Sequence, residues 1–72
     1  MIRRHAVYST RGADLRQQRE HLGLSLRYVA RKSGYSASYV RRLEAGAPLP
    51  VDTAAVLDAT LTRARMRMGG AR

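Results

Sequence analysis

The chain has no cysteine, no tryptophan and no phenylalanine, only two prolines, and five acidic residues against fourteen basic ones. Each shortage closes a class of function. Without cysteine there is no disulfide framework and no thiolate metal site, and two separated histidines, His5 and His21, cannot supply a zinc set, so neither metal nor cofactor is expected. No apolar run approaches the ~18 residues that cross a bilayer. The N-terminus also lacks the continuous apolar stretch of a signal peptide, which gives a cytoplasmic expectation with no membrane partner. No nucleophile stands with a base, and no carboxylates pair, so the residues offer nothing for an enzyme to use. No small-molecule ligand is evident either.

What remains fits one small domain. With 72 residues, a second folded unit is not expected, and the fourteen Leu, Val and Ile side chains have to converge on one cluster. The net charge of +9 spreads a positive field over so small a body, and polyanions are its natural partners. The same excess of Arg and Ala is also what a GC-rich genome encodes irrespective of function. Charge alone therefore leaves the partner open.

Punctuation along the chain predicts an all-α fold. Residues 1–9, with Arg3, Arg4 and His5, read as a flexible basic arm ahead of an N-cap at Thr10. A first helix is predicted from Gly12 to Leu22, with Leu15, Arg19 and Leu22 on one face, Asp14 in its first turn and Gly23 as its C-terminal cap. Ser25 caps a second, Leu26 to Ser33, closed by Gly34; Ser36 caps a third, Ala37 to Ala45, closed by Gly46 ahead of Pro48 and Pro50. A fourth begins near Asp52, where Val51, Ala54, Leu57, Leu61, Ala64 and Met68 recur at spacings of three and four as far as Gly69. Nothing alternates with period two. The domain is expected to span residues 10–62, followed by a basic extension, 63–72, helical in part or disordered.

The segment Leu26 to Leu43 has the layout of a helix-turn-helix: two short helices around a tight turn containing glycine. Ala30 is small where the helices cross, Gly34 permits positive φ in the turn, and Val40, ten residues after Ala30, plugs the space between them, with Leu43 inward below it. Ala37, Ser38, Arg41 and Arg42 then face outward. In this register Arg42 suits a bidentate bond to guanine, Ser38 a short hydrogen bond to a base or phosphate, and Arg41 and Arg27 phosphates. Among the tyrosines, Tyr35 reads as packing, whereas Tyr39 is the better phosphate ligand. His21, at the end of the first helix, suits the helix dipole and is assigned no catalysis.

From Leu15 to Leu61 the sequence resembles the Cro and lambdoid phage-repressor type of helix-turn-helix, the xenobiotic-response-element family. The resemblance lies in Leu15, Arg19, Leu22-Gly23-Leu24-Ser25, Val29-Ala30, Gly34-Tyr35-Ser36, Ser38-Tyr39-Val40 and Arg42-Leu43-Glu44-Ala45-Gly46. It implies a compact lambda-repressor-like domain of four helices, or five, with the motif at helices 2 and 3. It also implies base reading from Ala37, Ser38 and Arg42, phosphate binding at Arg27, Ser36, Tyr39 and Arg41, and a structural ion pair between Arg19 and Glu44. Three departures qualify it. Leu26 stands where the family commonly has Gln, Ala37 offers only a methyl to a base, and Thr62-Arg63-Ala64-Arg65-Met66-Arg67 replaces the expected break, so a fifth helix is lost or fused to the fourth.

The expectation is a bacterial or phage transcriptional regulator of the Cro or compact-repressor kind that occupies an operator in double-stranded DNA. A helix of this length reads few base pairs, so a homodimer on a palindrome is expected. Leu57, Leu61, Ala64 and Met68 are its candidate face, with Val7 and the arm a weaker one. The same stripe could instead pack on helix 1. Two other readings share the fold: an antitoxin that autoregulates its operon, and an architectural or recombination accessory protein of a mobile element.

Overall fold

The computed structural model describes residues 11–70, which form four helices and no strand: α1 (Gly12–His21), α2 (Leu26–Ser33), α3 (Ala37–Glu44) and α4 (Val51–Gly70). Thr10, Val7 and the expected arm at residues 1–9 lie outside the described residues.

The short helices are fixed at their ends by the residues that the sequence offers. The Ser25 and Ser36 hydroxyl oxygens accept from the backbone N–H groups of Tyr28 and Tyr39, both at 3.0 Å, satisfying donors that an α-helix leaves orphaned. Gly34 ends α2 at φ 92°, its N–H donating to the Ala30 carbonyl, and a side chain there would be strained in this left-handed conformation. α1 and α3 close on one shared pattern. The Leu24 N–H reaches back to the Arg19 carbonyl and the Ala47 N–H to the Arg42 carbonyl, each at 3.0 Å. The start of α1 differs from expectation: its N-cap is Arg11, which contributes no side-chain bond, and the Arg11 carbonyl accepts from Asp14 and Leu15 instead.

Two-turn helices are marginal alone and gain stability by packing. Leu15 from α1, Val29 and Ala30 from α2, Val40 and Leu43 from α3, Leu49 from the loop, and Ala54, Leu57 and Leu61 from α4 form one buried cluster. α1 and α2 each pack against both α3 and α4. At Gly12 a Cβ would overlap the carbonyl oxygen of Leu43, so α1 lies backbone to backbone against α3 and only glycine fits.

The fourth helix resolves two alternatives. It runs unbroken through Thr62 to Gly70, so residues 63–70 continue it and no separate fifth helix exists among the described residues. Leu57 and Leu61, each 2% exposed, and Ala64, also buried, are spent on the chain's own core, which corrects their placement on a dimer face. Met68 alone of that stripe is exposed.

Candidate nucleic-acid interface

α3 divides into two sides. Val40 and Leu43 are buried and pin it to the core, leaving Ser38, Arg41 and Arg42 exposed one turn apart on the other side. Ala37 is half-buried against the core, so its methyl stands at the edge of this face rather than at its tip.

Aromatic rings stiffen the exposed side. Tyr35 and Tyr39 meet edge to face with centroids 5.4 Å apart, and the Arg42 guanidinium carbon lies 5.8 Å from the Tyr39 ring centroid. That cation–π contact holds a long side chain on the outer face, lowering the entropy lost when it docks. Ser36 uses a lone pair to cap α3, which leaves its hydroxyl proton to donate outward. Arg27 is exposed on α2. Tyr28 is occupied by the chain itself: Lys32 Nζ sits 5.7 Å from its ring centroid, and Arg67 Nη1 donates to its hydroxyl at 3.4 Å.

Behind the exposed face stands a largely buried ion pair. Arg19 Nε and Nη2 donate to the two carboxylate oxygens of Glu44 at 2.8 and 3.0 Å, while Nη1 donates to the Leu24 carbonyl at 2.8 Å. The fork therefore ties α1 to the end of α3 and to the segment entering α2. The hydrogen bonds to Glu44 raise the Arg19 pKa above its ordinary value, outweighing the desolvation that opposes them.

The local field has one sign. From Ser25 to Leu43 the sequence carries Arg27, Arg31, Lys32, Arg41 and Arg42 and no acid, and the one carboxylate of α3, Glu44, is paired with Arg19. Among the described residues no three His, Asp or Glu side chains gather as a metal site, and no helix is long and apolar enough to cross a membrane.

Gly12, which meets the backbone of α3, and Leu49, buried in the core, are not marked out by the sequence. A glycine among polar residues and a leucine between prolines carry no periodic signal.

A short helix pinned by apolar residues on one side, cationic on the other and preceded by a glycine turn defines an all-α DNA-binding domain. A family model described as a helix-turn-helix domain matches residues 12–67. The chain belongs to this helix-turn-helix family, which is typical of DNA-binding proteins of the Cro and xenobiotic-response-element kind. No curated protein and no solved structure matches it.

Proposed function

We propose that the chain is a transcriptional regulator that occupies an operator by placing α3 in the major groove. The observation that carries this reading is Arg42, exposed beside Ser38 and held over the Tyr39 ring on a helix whose opposite side is locked in the core. Arg42 engages guanine O6 and N7, Ser38 takes a base edge or a phosphate, and the edge position of Ala37 suits a thymine methyl. Arg27, Ser36, Tyr39 and Arg41 contact phosphates, fixing register without reading sequence. Occupancy of DNA, with no chemical step, is the whole mechanism.

Eight residues of α3 span too few base pairs for selectivity across a genome, so the regulator acts as a homodimer on a near-palindrome. The two half-sites lie about 34 Å apart. With Leu57, Leu61 and Ala64 internal, Met68 is the member of the expected stripe left for the dimer.

Selection of bound duplexes from a random pool tests the reading. One motif should emerge, repeated with two-fold symmetry at that spacing. Retained duplexes without any enriched sequence would instead support the architectural reading, and a pool that is not retained at low salt would overturn DNA binding.

A further inference from the structure

Every large apolar side chain exposed among the described residues lies on α4: Val51, Val56, Met66 and Met68. The inner side of that helix is spent on the core through Ala54, Leu57, Leu61 and Ala64. Its outer side is apolar as well. Val51, Ala55, Ala59, Thr62 and Met66 recur at spacings of four and three opposite the buried row, with Val56 beside them, and form a face about 22 Å long with no charge along its centre. A helix lying on a core normally turns charged and polar residues to solvent, so an apolar outer face marks a contact surface.

Charge at the ends of the face selects its occupant. Asp52 and Arg63 stand on one edge about three turns apart, both exposed and, among the described residues, in no ion pair. Asp58, half-buried on the other edge, is already engaged. Two copies of α4 laid face to face in parallel would set like charges against each other at both ends. Laid antiparallel, they set each Asp52 against Arg63 of the partner subunit.

We propose that the outer face of α4 binds the same face of a second copy, antiparallel across a two-fold axis, and that the pair so formed links two DNA segments. Ala55 and Ala59 let the helix axes approach closely at the centre, and the crossed carboxylate–guanidinium pairs set direction and register at the ends. The side chains buried from α3 and α4, Val40 and Leu43 with Leu57 and Leu61, meet in one cluster, so the exposed sides of the two helices point away from each other. Copies joined through α4 therefore carry their α3 surfaces at opposite ends. This pair is separate from the two copies that share one operator. The linkage of DNA rests on the DNA-binding reading above, whereas the pairing of α4 stands without it. A short contact between chains of net charge +9 is weak, with a Kd of about 10 μM or above.

Sedimentation equilibrium of the full chain without DNA, from about 1 μM to about 1 mM, tests the pairing. Asp52→Arg and Arg63→Asp should each weaken self-association about tenfold or more, and the double variant should recover most of the loss. Net charge alone predicts otherwise, because the two single changes move it in opposite directions. Ala59→Arg, at the centre of the face, should abolish pairing with both ends intact. Far-UV circular dichroism confirms that each variant remains helical. Capture of a labelled duplex on a tethered one reads the linkage, and Ala59→Arg should lose it although the substitution adds a cation. A chain that stays monomeric throughout overturns the proposal and leaves the face to residues 1–10 or to a different protein. Single charge variants that shift self-association in opposite directions overturn it too. A chain that pairs and binds one duplex but captures no second overturns the linkage and keeps the DNA-binding reading. One that pairs but ignores duplex at low salt overturns that reading and keeps the pairing.

Discussion

Glu44→Ala isolates the interaction that sets the position of α3. The Glu44 and Arg19 side chains are 7% and 12% exposed, and the substitution removes two charge-assisted hydrogen bonds while leaving the guanidinium buried. A surface pair would contribute about 1 kcal/mol or less. At this burial the loss is about 3–5 kcal/mol, because the surviving charge keeps only the Leu24 carbonyl and its longer contact to Glu20. At roughly 0.05–0.15 kcal/mol per residue, a chain of this length has about 4–11 kcal/mol of stability in all. One substitution therefore removes much of it. Thermal unfolding followed by circular dichroism should show Tm falling by about 12–40 °C, at about 4–8 °C per kcal/mol for a domain of this size. Replacing both partners, as Arg19→Met with Glu44→Leu, should recover most of the loss, since no charge is then stranded. The effect should be the same at pH 7 and pH 9. Arg19 has its pKa raised in the folded state, so its contribution is complete below the ordinary arginine value and is lost only as pH rises through the raised folded value, far above both of these. A fall of less than about 5 °C for Glu44→Ala would place the pair in the surface regime and refute the reasoning.

Gly12→Ala sets helix propensity against packing: the substitution offers a gain of about 1 kcal/mol in a helix, but its methyl meets the rigid Leu43 carbonyl. A net loss of about 1–3 kcal/mol is expected in denaturant unfolding, and a gain would show that α1 can move away from α3 freely. Leu57→Ala should cost about 2–5 kcal/mol, a loss that is the same at every protein concentration because Leu57 packs within its own chain. A concentration-dependent loss would return Leu57 to an intersubunit face. Ser36→Ala should cost about 0.5–2 kcal/mol through the lost cap on α3, and an unchanged midpoint would show that the Tyr39 N–H finds another acceptor.

How much of this was legible beforehand depended on whether the signal was local. Both ends of α2 and the start of α3 are written in Ser25, Gly34 and Ser36, whose chemistry acts within one turn, and these boundaries match the structure. Helix 3 stops one residue short of expectation, because Ala45 serves as its cap. Thr10 resembled a cap by residue type, yet α1 begins two residues later on the Arg11 carbonyl, and backbone bonding of that kind leaves no trace in composition. Periodicity identified Leu57, Leu61 and Ala64 as sharing a face of α4, but a period says nothing about what covers that face. Here the chain itself covers it. Gly12 matters through the Leu43 carbonyl, far off in sequence, a relation that only the packed helices reveal. The Arg19–Glu44 pair spans twenty-five residues, and it entered the reading of the sequence only through family resemblance.

The most direct measurement of the claim that α3 is a reading head is the affinity ratio between a selected operator and an unrelated duplex at ~150 mM salt, for the wild-type chain and for Arg42→Ala. The wild-type chain should prefer its operator ~10³-fold or more. Loss of the guanidinium should reduce that ratio by about 5- to 150-fold, the equivalent of ~1–3 kcal/mol, while binding to unrelated duplex changes little beyond one lost charge. An Arg42→Ala chain that keeps the wild-type ratio would contradict base reading by α3.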